Sequence, residues 1–288
     1  MEKLNVDGSR FSGFQFNPDC LNFKPEPNTV FLVSYPRCGQ TWTRHMLWSM
    51  LANDGHELPP DGNLTTVAPW LEHVGLEGAE AAPAPKIIVT HLTMDLVPFS
   101  PDSKYIILSR NPKDVQISYF HHNVDLGWYQ FNQYDLHFAD FMSGELLFGS
   151  YFDHIDSYLP YLQPLKPINC RVVLYENLRL NTHSELRRIY DFLSPSSALS
   201  QGDVDALIDR VIQSTSIERM KLNQRRFMSK NTYDLRNQAM TDHIRQGVVG
   251  GWKEVGSPMS AAQSEMICTK YRERFQGTVA EHWFDGVM

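Results

Sequence analysis

Six consecutive residues, Arg37, Cys38, Gly39, Gln40, Thr41 and Trp42, form a loop with the chemistry to grip an anion. They lie in 33-VSYPRCGQTW-42, between an apolar run of β-formers and a segment of helical periodicity that starts at Thr41. A strand, a glycine turn and a helix N-terminus together aim backbone N–H groups and positive potential at an oxyanion. Arg37 adds a permanent charge and a planar fork for phosphate or sulfate oxygens. Thr41 adds a hydroxyl, and Trp42 a flat face for a base. The loop lacks the glycine-lysine-serine/threonine ending of a Walker A loop. On its own it reads equally well as an ordinary strand-to-helix turn with a surface arginine.

Three further features bear on the same chemistry. In 109-SRNPKDVQISYFHH-122, Arg110 ends a strand, and Ser118 follows Asn111 by about two helical turns, so both can reach one anion from one side. His91 ends 86-KIIVTH-91, where a neutral imidazole can act as a base. Residues 214–250 hold seven Lys/Arg against three acids in a chain whose net charge is -7. A basic, glycine-containing segment in an acidic chain fits a mobile lid over an anionic ligand. Taken singly, each feature has a plainer reading: a capped helix, a structural histidine, a solvated loop.

Four segments read as strands and would position these residues: 29-TVFLVSY-35, 86-KIIVTH-91, 104-KYIILSR-110 and 171-RVVLYEN-177. Helical patterns fit 41–54, 112–124, 146–162, 182–193, 203–214 and 260–275, with Asn111 and Pro112 opening the second and a Thr182–Glu185 capping box opening the fourth. Residues 1–28 and 125–150 read as irregular, and 55–85 as loops around a short segment at 65–74. Strands interleaved with helices imply an α/β fold with a central parallel sheet covered on both faces. Ligands of such sheets sit beyond the C-terminal strand ends, which places the Tyr35–Thr41 loop, His91 and Arg110 side by side.

The 288 residues suit a single large domain, and the 42% hydrophobic and 20% charged content imply a packed core. The acidic balance argues against nucleic-acid or anionic-membrane binding. The four scattered cysteines have no CxxC or metal-ligand spacing and are expected as reduced thiols in a cytoplasmic protein. The N-terminus has no signal-peptide pattern, and no apolar window is long enough to span a membrane.

The ordered blocks 34-SYPRCGQTW-42, 90-THL-92, 110-RNPKDVQISYFHH-122, 174-LYENL-178, 214-STSIERMKLN-223 and 245-RQGVVGGWK-253 resemble the cytosolic-type sulfotransferases. The resemblance covers about residues 23 to 275. It implies a P-loop-kinase-like sulfotransferase fold and 3′-phosphoadenosine 5′-phosphosulfate (PAPS) as donor, with PAP as product and no metal. By position, Arg37 to Thr41 would hold the 5′-phosphosulfate and Trp42 would stack near the adenine. Arg110 and Ser118 would bind the 3′-phosphate, with Tyr175 at the adenine and Thr215, Ser216 and Met220 along the nucleotide. Arg245, Gln246 and Gly247 would close over the 3′-phosphate. His91 would take the acceptor proton.

Several positions depart from the family's pattern. Arg37 stands where the family loop YPKSGTTW has lysine, Cys38 where it has serine, and Gln40 where it has threonine. Arginine keeps the charge but gives up no proton, so it can assist a leaving oxygen only by hydrogen bonding. Val89 replaces a lysine two residues before the histidine, Gln246 another lysine, Gly251 an aspartate and Ile217 an aromatic. The segment 253-KEVGSPMSAA-262 does not match the family's dimer motif.

The expected acceptor is a small soluble molecule bearing a hydroxyl. Phe14, Phe16, Phe23, Trp70, His121 and Trp128 are the candidate wall residues of an aromatic pocket, with about half of this set destined for the core, and Phe14, Phe16, Trp70 and His121 are the expected substrate contacts. Asp19, Glu72, Asp95 and Asp125 near those segments suggest a cationic or polar acceptor, which admits N-sulfation of an amine or carbamoyl group. Two other readings remain: a PAPS- or PAP-binding protein with weak catalysis, and a nucleotide kinase, which would need a Walker lysine and a Mg²⁺ carboxylate.

Overall fold

In the computed structural model, residues 11, 14–162, 169–222, 224–227 and 247–288 are described. Four parallel strands, β1 (Val30–Val33), β2 (Ile87–Thr90), β3 (Lys104–Ser109) and β4 (Cys170–Leu174), form a sheet in the order β2-β1-β3-β4. Val33 pairs with Thr90 on one side and Ile107 on the other, so β1 and β2 end level and β3 runs two residues further along the same edge. Strands β1 and β2 are buried throughout, as a sheet covered on both faces requires. The buried side chains form a core cluster in which Phe31 and Tyr105 stack across β1 and β3 at 5.1 Å.

Helices α1 (Gln40–Ala52), α2 (Leu64–Val67), α3 (Leu71–Glu80), α4 (Pro112–Asp125), α5 (Tyr134–Ser143) and α6 (Tyr151–Tyr158) follow in chain order, then α7 (Tyr175–Leu180), α8 (Thr182–Leu193), α9 (Gln201–Ser214), α10 (Ile217–Leu222) and α11 (Ala261–Phe275). Asn111 caps α4 by accepting from the Lys113 N–H at 2.9 Å, and Pro112 occupies the first helical position. Both follow from the sequence.

Four expectations change. The fourth strand ends at Leu174, and Tyr175 opens α7. The β-forming run Val172–Leu174 carries no signal for that break. Residues 125–150 are not irregular throughout: α5 buries Tyr134, His137, Phe138 and Phe141, a helical spacing hidden among aromatics that also favour strands. The helix expected from 146 starts at 151, because Phe148 and Gly149 both adopt left-handed backbone and Ser150 is the N-cap. The Thr182–Glu185 box does not form, since Asn181 ends α7 and also precedes α8 without a side-chain cap.

Much of the basic 214–250 segment, including Arg245 and Gln246, lies outside the described residues. Within them, Arg219 pairs with Glu57, and Arg226 donates to the carbonyls of Pro59 and Gly62. Those two charges therefore hold the 57–62 loop.

Candidate active site

The strand ends converge on one cavity of about 240 Å³. Arg37, Gly39, Gln40, Thr41 and Trp42 line it, together with His91, Arg110, Ser118, Tyr175 and Gly247. The loop, the β2 histidine and the β3 arginine, separated in sequence, thus share one space because parallel strands in register end on one edge.

Gly39 precedes α1 with φ of 96°, a conformation that disfavours side chains. A Cβ there would come within 2.5 Å of the Tyr175 ring. The break of the chain from β4 into α7 lays that ring over the loop, so glycine is required for two reasons. We expect Gly39→Ala to destabilise the fold by roughly 1–3 kcal/mol and to weaken nucleotide binding together with it. Thermal melts with and without nucleotide measure both, and an unchanged melting temperature would contradict the contact.

Arg37 also has left-handed backbone, with φ of 70°. Its Nε donates to Ser118 Oγ at 3.2 Å, and its carbonyl accepts from Arg110 Nη1 at 3.2 Å. The Arg110 guanidinium lies 4.4 Å from the centre of the Tyr175 ring and donates through Nη2 to the Val248 carbonyl at 3.2 Å. Its Nε is buried and has no partner. Asp114, one turn along α4, accepts from the N–H groups of Gly250 at 2.8 Å and Trp252 at 3.1 Å, fixing the segment after Gly247. Arg179 donates to the Gly247 carbonyl at 2.6 Å. Trp42 donates to the Thr215 carbonyl at 2.9 Å and meets Tyr175 edge-on.

Other expected site residues lie apart from the cavity lining. Cys38 is buried, and burial pushes its thiol well above the ordinary range. Thr215 and Met220 are buried, and the Ser216 hydroxyl accepts from the Arg219 N–H. Among the expected wall residues, Trp70 lines the cavity. Phe14 packs against Trp70 and Phe148, Phe16 packs partly buried against the core, and Phe23 is buried against Phe31. His121 faces Phe120 and Phe131.

His91 is held on several sides. Its backbone N–H donates to Glu72 Oε1 at 2.5 Å. Its carbonyl accepts from His154 Nε2 at 2.9 Å, and the Tyr158 hydroxyl donates to His154 Nδ1 at 2.5 Å. Trp70 and Phe148 meet its ring edge-on at 5.4 and 5.2 Å. The ring Nδ1 lies 2.7 Å from the Ser34 carbonyl, which accepts only, so Nδ1 carries the proton and Nε2 the lone pair. Gln40 Nε2 bridges Ser34 Oγ and the Thr90 carbonyl, tying β1 to β2 beneath the ring.

Burial pushes the His91 pKa down to about 3, with the charges of Arg37 and Arg44 adding to the fall. The imidazole is therefore neutral across the working range. We expect kcat/KM to show no inflection from His91 between about pH 6 and pH 8, unlike an exposed histidine. Because the folded value lies below the unfolded one, stability is lost as pH falls from about 6.5 toward 3. A pH–rate profile with an acid limb near 6.5 that moves on substitution of His91 would contradict this.

Sequence reasoning missed several participants. His122 follows Ser118 by one turn and lines the cavity, with Nδ1 3.5 Å from Arg37 Nη1; helical spacing alone could have found it. His73 also lines the cavity, stacked on Trp70. His154 and Phe148 reach His91 only through tertiary packing, and so does Glu72, which the sequence suggests only as an acid near the acceptor. Burial raises the Glu72 pKa to about 7. Among the described residues no group of three or more His, Cys, Asp or Glu is placed to hold a metal, no helix is long and apolar enough to cross a membrane, and all four cysteines are free.

A sequence profile of the family described as "Sulfotransferase domain" matches residues 27–279. Mouse sulfotransferase 1B1 is 30% identical over 91% of this chain and 88% of its own length. Human sulfotransferase 1C2 is 25% identical over 89% and 86%. Among solved structures, the mouse sulfotransferase SULT7A1 complexed with PAP superimposes with a TM-score of 0.69 at 22% identity, covering 92% of each chain. Retinol dehydratase in a complex with retinol and PAP gives 0.71 at 21%, covering 91% of this chain and 85% of the other. The structural likeness bears on the fold, and the profile on the family: this chain belongs to the sulfotransferases.

Proposed function

We propose that this chain transfers the sulfuryl group of PAPS to a hydroxyl on a small acceptor, with His91 as the general base. The observation that carries the proposal is the His91 ring, whose Nδ1 is committed to the Ser34 carbonyl so that Nε2 is left as a neutral acceptor on a residue that lines the cavity together with Arg37. The cavity also fits the donor's charge. Arg110 keeps a buried, unpartnered Nε there, and the cradle beside it admits no Cβ at Gly39.

When bound, PAPS supplies a sulfuryl group on a phosphosulfate anhydride. His91 Nε2 takes the acceptor's hydroxyl proton as the oxygen attacks sulfur. Arg37 stabilises charge on the departing 5′-phosphate by hydrogen bonding and keeps its own proton throughout. Arg110 and Ser118 bind the 3′-phosphate, and Trp42 and Tyr175 flank the adenine. The products are a sulfate ester and PAP, with the proton left on His91 for release to solvent.

The test is incubation with PAPS and a panel of hydroxyl and amine acceptors, followed by mass spectrometry. The expected result is a mass gain of one sulfuryl group on a hydroxyl, with PAP formed in equal amount. Gain on nitrogen alone would move the reaction to N-sulfation. Tight donor binding without transfer to any acceptor would make the chain a nucleotide-binding protein, and ATP-dependent phosphoryl transfer would make it a kinase.

A further inference from the structure

Arg44 has no part in the reaction proposed above, yet it stands in the wall of the same cavity. It is 5% exposed. Its Nη2 donates to the Leu64 carbonyl at 3.0 Å, and its Nε is buried with no partner. No carboxylate among the described residues forms an ion pair with it. Burial pulls its pKa down to about 9, still high enough to keep the guanidinium charged at neutral pH. A buried cation without an anion is unfavourable, and two features of the cavity point to a ligand as the source of that anion.

The first is position. Residues on a helix advance by about 100°, so Arg44 lies about 40° from Gln40 and about 200° from Trp42 on α1. Gln40 sits under His91, with its amide on the Thr90 carbonyl. Arg44 is therefore one turn beyond it on the His91 side, facing away from the Trp42–Tyr175 pair. Thr65, which follows the Leu64 whose carbonyl Arg44 holds, lines the same cavity, as do Trp70 and His73.

The second is the distribution of charge. Of the charged residues lining the cavity, Arg110 lies 4.0 Å from the Asp114 carboxylate, which also accepts from Gly250 and Trp252, and Arg37 is engaged by Ser118 on the side assigned to the donor. The acids near the acceptor segments, which as sequence suggested a cationic acceptor, do not line it. Asp19 accepts from the Leu76 N–H, Asp95 is exposed, Asp125 is buried in α4, and Glu72 lies behind His91. Arg44 is left as a cation with no carboxylate partner among the described residues, close enough to His91 for its charge to act on that ring, in a cavity that Trp70 and His73 also line.

We propose that Arg44 binds an anionic group, a carboxylate or phosphate, carried by the acceptor, and so selects acidic over neutral or cationic hydroxyl compounds. This rests on the reading that places the acceptor hydroxyl at His91.

Three compounds on one frame test it: 4-hydroxyphenylacetate, 4-ethylphenol and tyramine. They are titrated calorimetrically into the PAP-loaded protein and its Arg44→Met variant, and separately assayed for sulfuryl transfer from PAPS. The parent is expected to bind the acid at least about tenfold more tightly than the neutral phenol, with tyramine weakest. In Arg44→Met that preference falls to about one, while PAP affinity holds and the ligand-free protein melts no lower than the parent. Three results would overturn the proposal. One is no preference for the acid in the parent, including no binding of any of the three. Another is a preference that survives in Arg44→Met alongside a lowered melting temperature, which makes Arg44 a brace for Leu64. The third is a fall in PAPS affinity in the variant, which puts Arg44 on the donor. Transfer to 4-ethylphenol that persists without acid preference would leave the sulfuryl-transfer reading standing.

Discussion

Replacing His91 with alanine lowers kcat by about 10²–10⁴-fold, the range lost when a positioned general base is removed. Donor binding is expected to stay close to the parent's. No hydrogen bond links the His91 side chain to Arg37, Ser118 or Arg110, and its one short partner is the Ser34 carbonyl. His91→Gln is the stricter variant. Its side-chain amide can donate to Ser34 in place of Nδ1–H, but it offers no basic nitrogen. Both variants should therefore fail alike in turnover, while glutamine better preserves the packing of Trp70 and Phe148. Titration of PAP and single-turnover rates with saturating PAPS separate the two effects. Near-parent turnover in either variant would remove His91 from the role of base, and a donor affinity that falls with kcat would make it a binding residue.

The frame around His91 shows how far the sequence could be read. Periodicity and apolar runs located the first three strands and both sides of the Arg37–Trp42 turn, because burial on two faces leaves a strong local signal. The parallel order then brought Arg37, His91 and Arg110 to one edge by geometry alone. The groups that tune those residues were not legible in the same way. Glu72 comes from a segment read as a short piece among loops, and the His154–Tyr158 pair from a helix with no visible tie to the site. Phe148 depends on a left-handed backbone turn that Tyr35 steadies through the Gly149 carbonyl at 2.9 Å. Such contacts join residues far apart in the chain, and composition near a motif does not predict them. The acids around the acceptor segments show the converse: Asp19, Glu72, Asp95 and Asp125 are near those segments in sequence, yet none of them lines the cavity, where the carboxylate present is that of Asp114.

Arg110→Ala is expected to weaken donor binding by about 1.5–3 kcal/mol, the worth of a charge-assisted hydrogen bond. The structure gives reasons for the upper part of that range. Arg110 stacks on Tyr175, supports the Arg37 carbonyl, and holds the segment after Gly247 through the Val248 carbonyl. Alanine therefore removes a charge, loosens the loop and frees the Tyr175 ring together. Arg110→Lys separates these effects. A lysine keeps the charge but cannot present two directed donors or a planar face to tyrosine. If charge alone matters, lysine restores most of the donor affinity. If Arg110 also organises the loop, lysine recovers only part of it, and kcat falls as well because Arg37, the proposed partner of the leaving phosphate, is less firmly placed. Partial recovery is the expected result. The comparison needs donor titrations at more than one salt concentration, since a purely electrostatic loss shrinks on screening and a lost scaffold does not. Unchanged affinity in Arg110→Ala would take the residue out of the donor site and, with it, the reading of Ser118 as its partner.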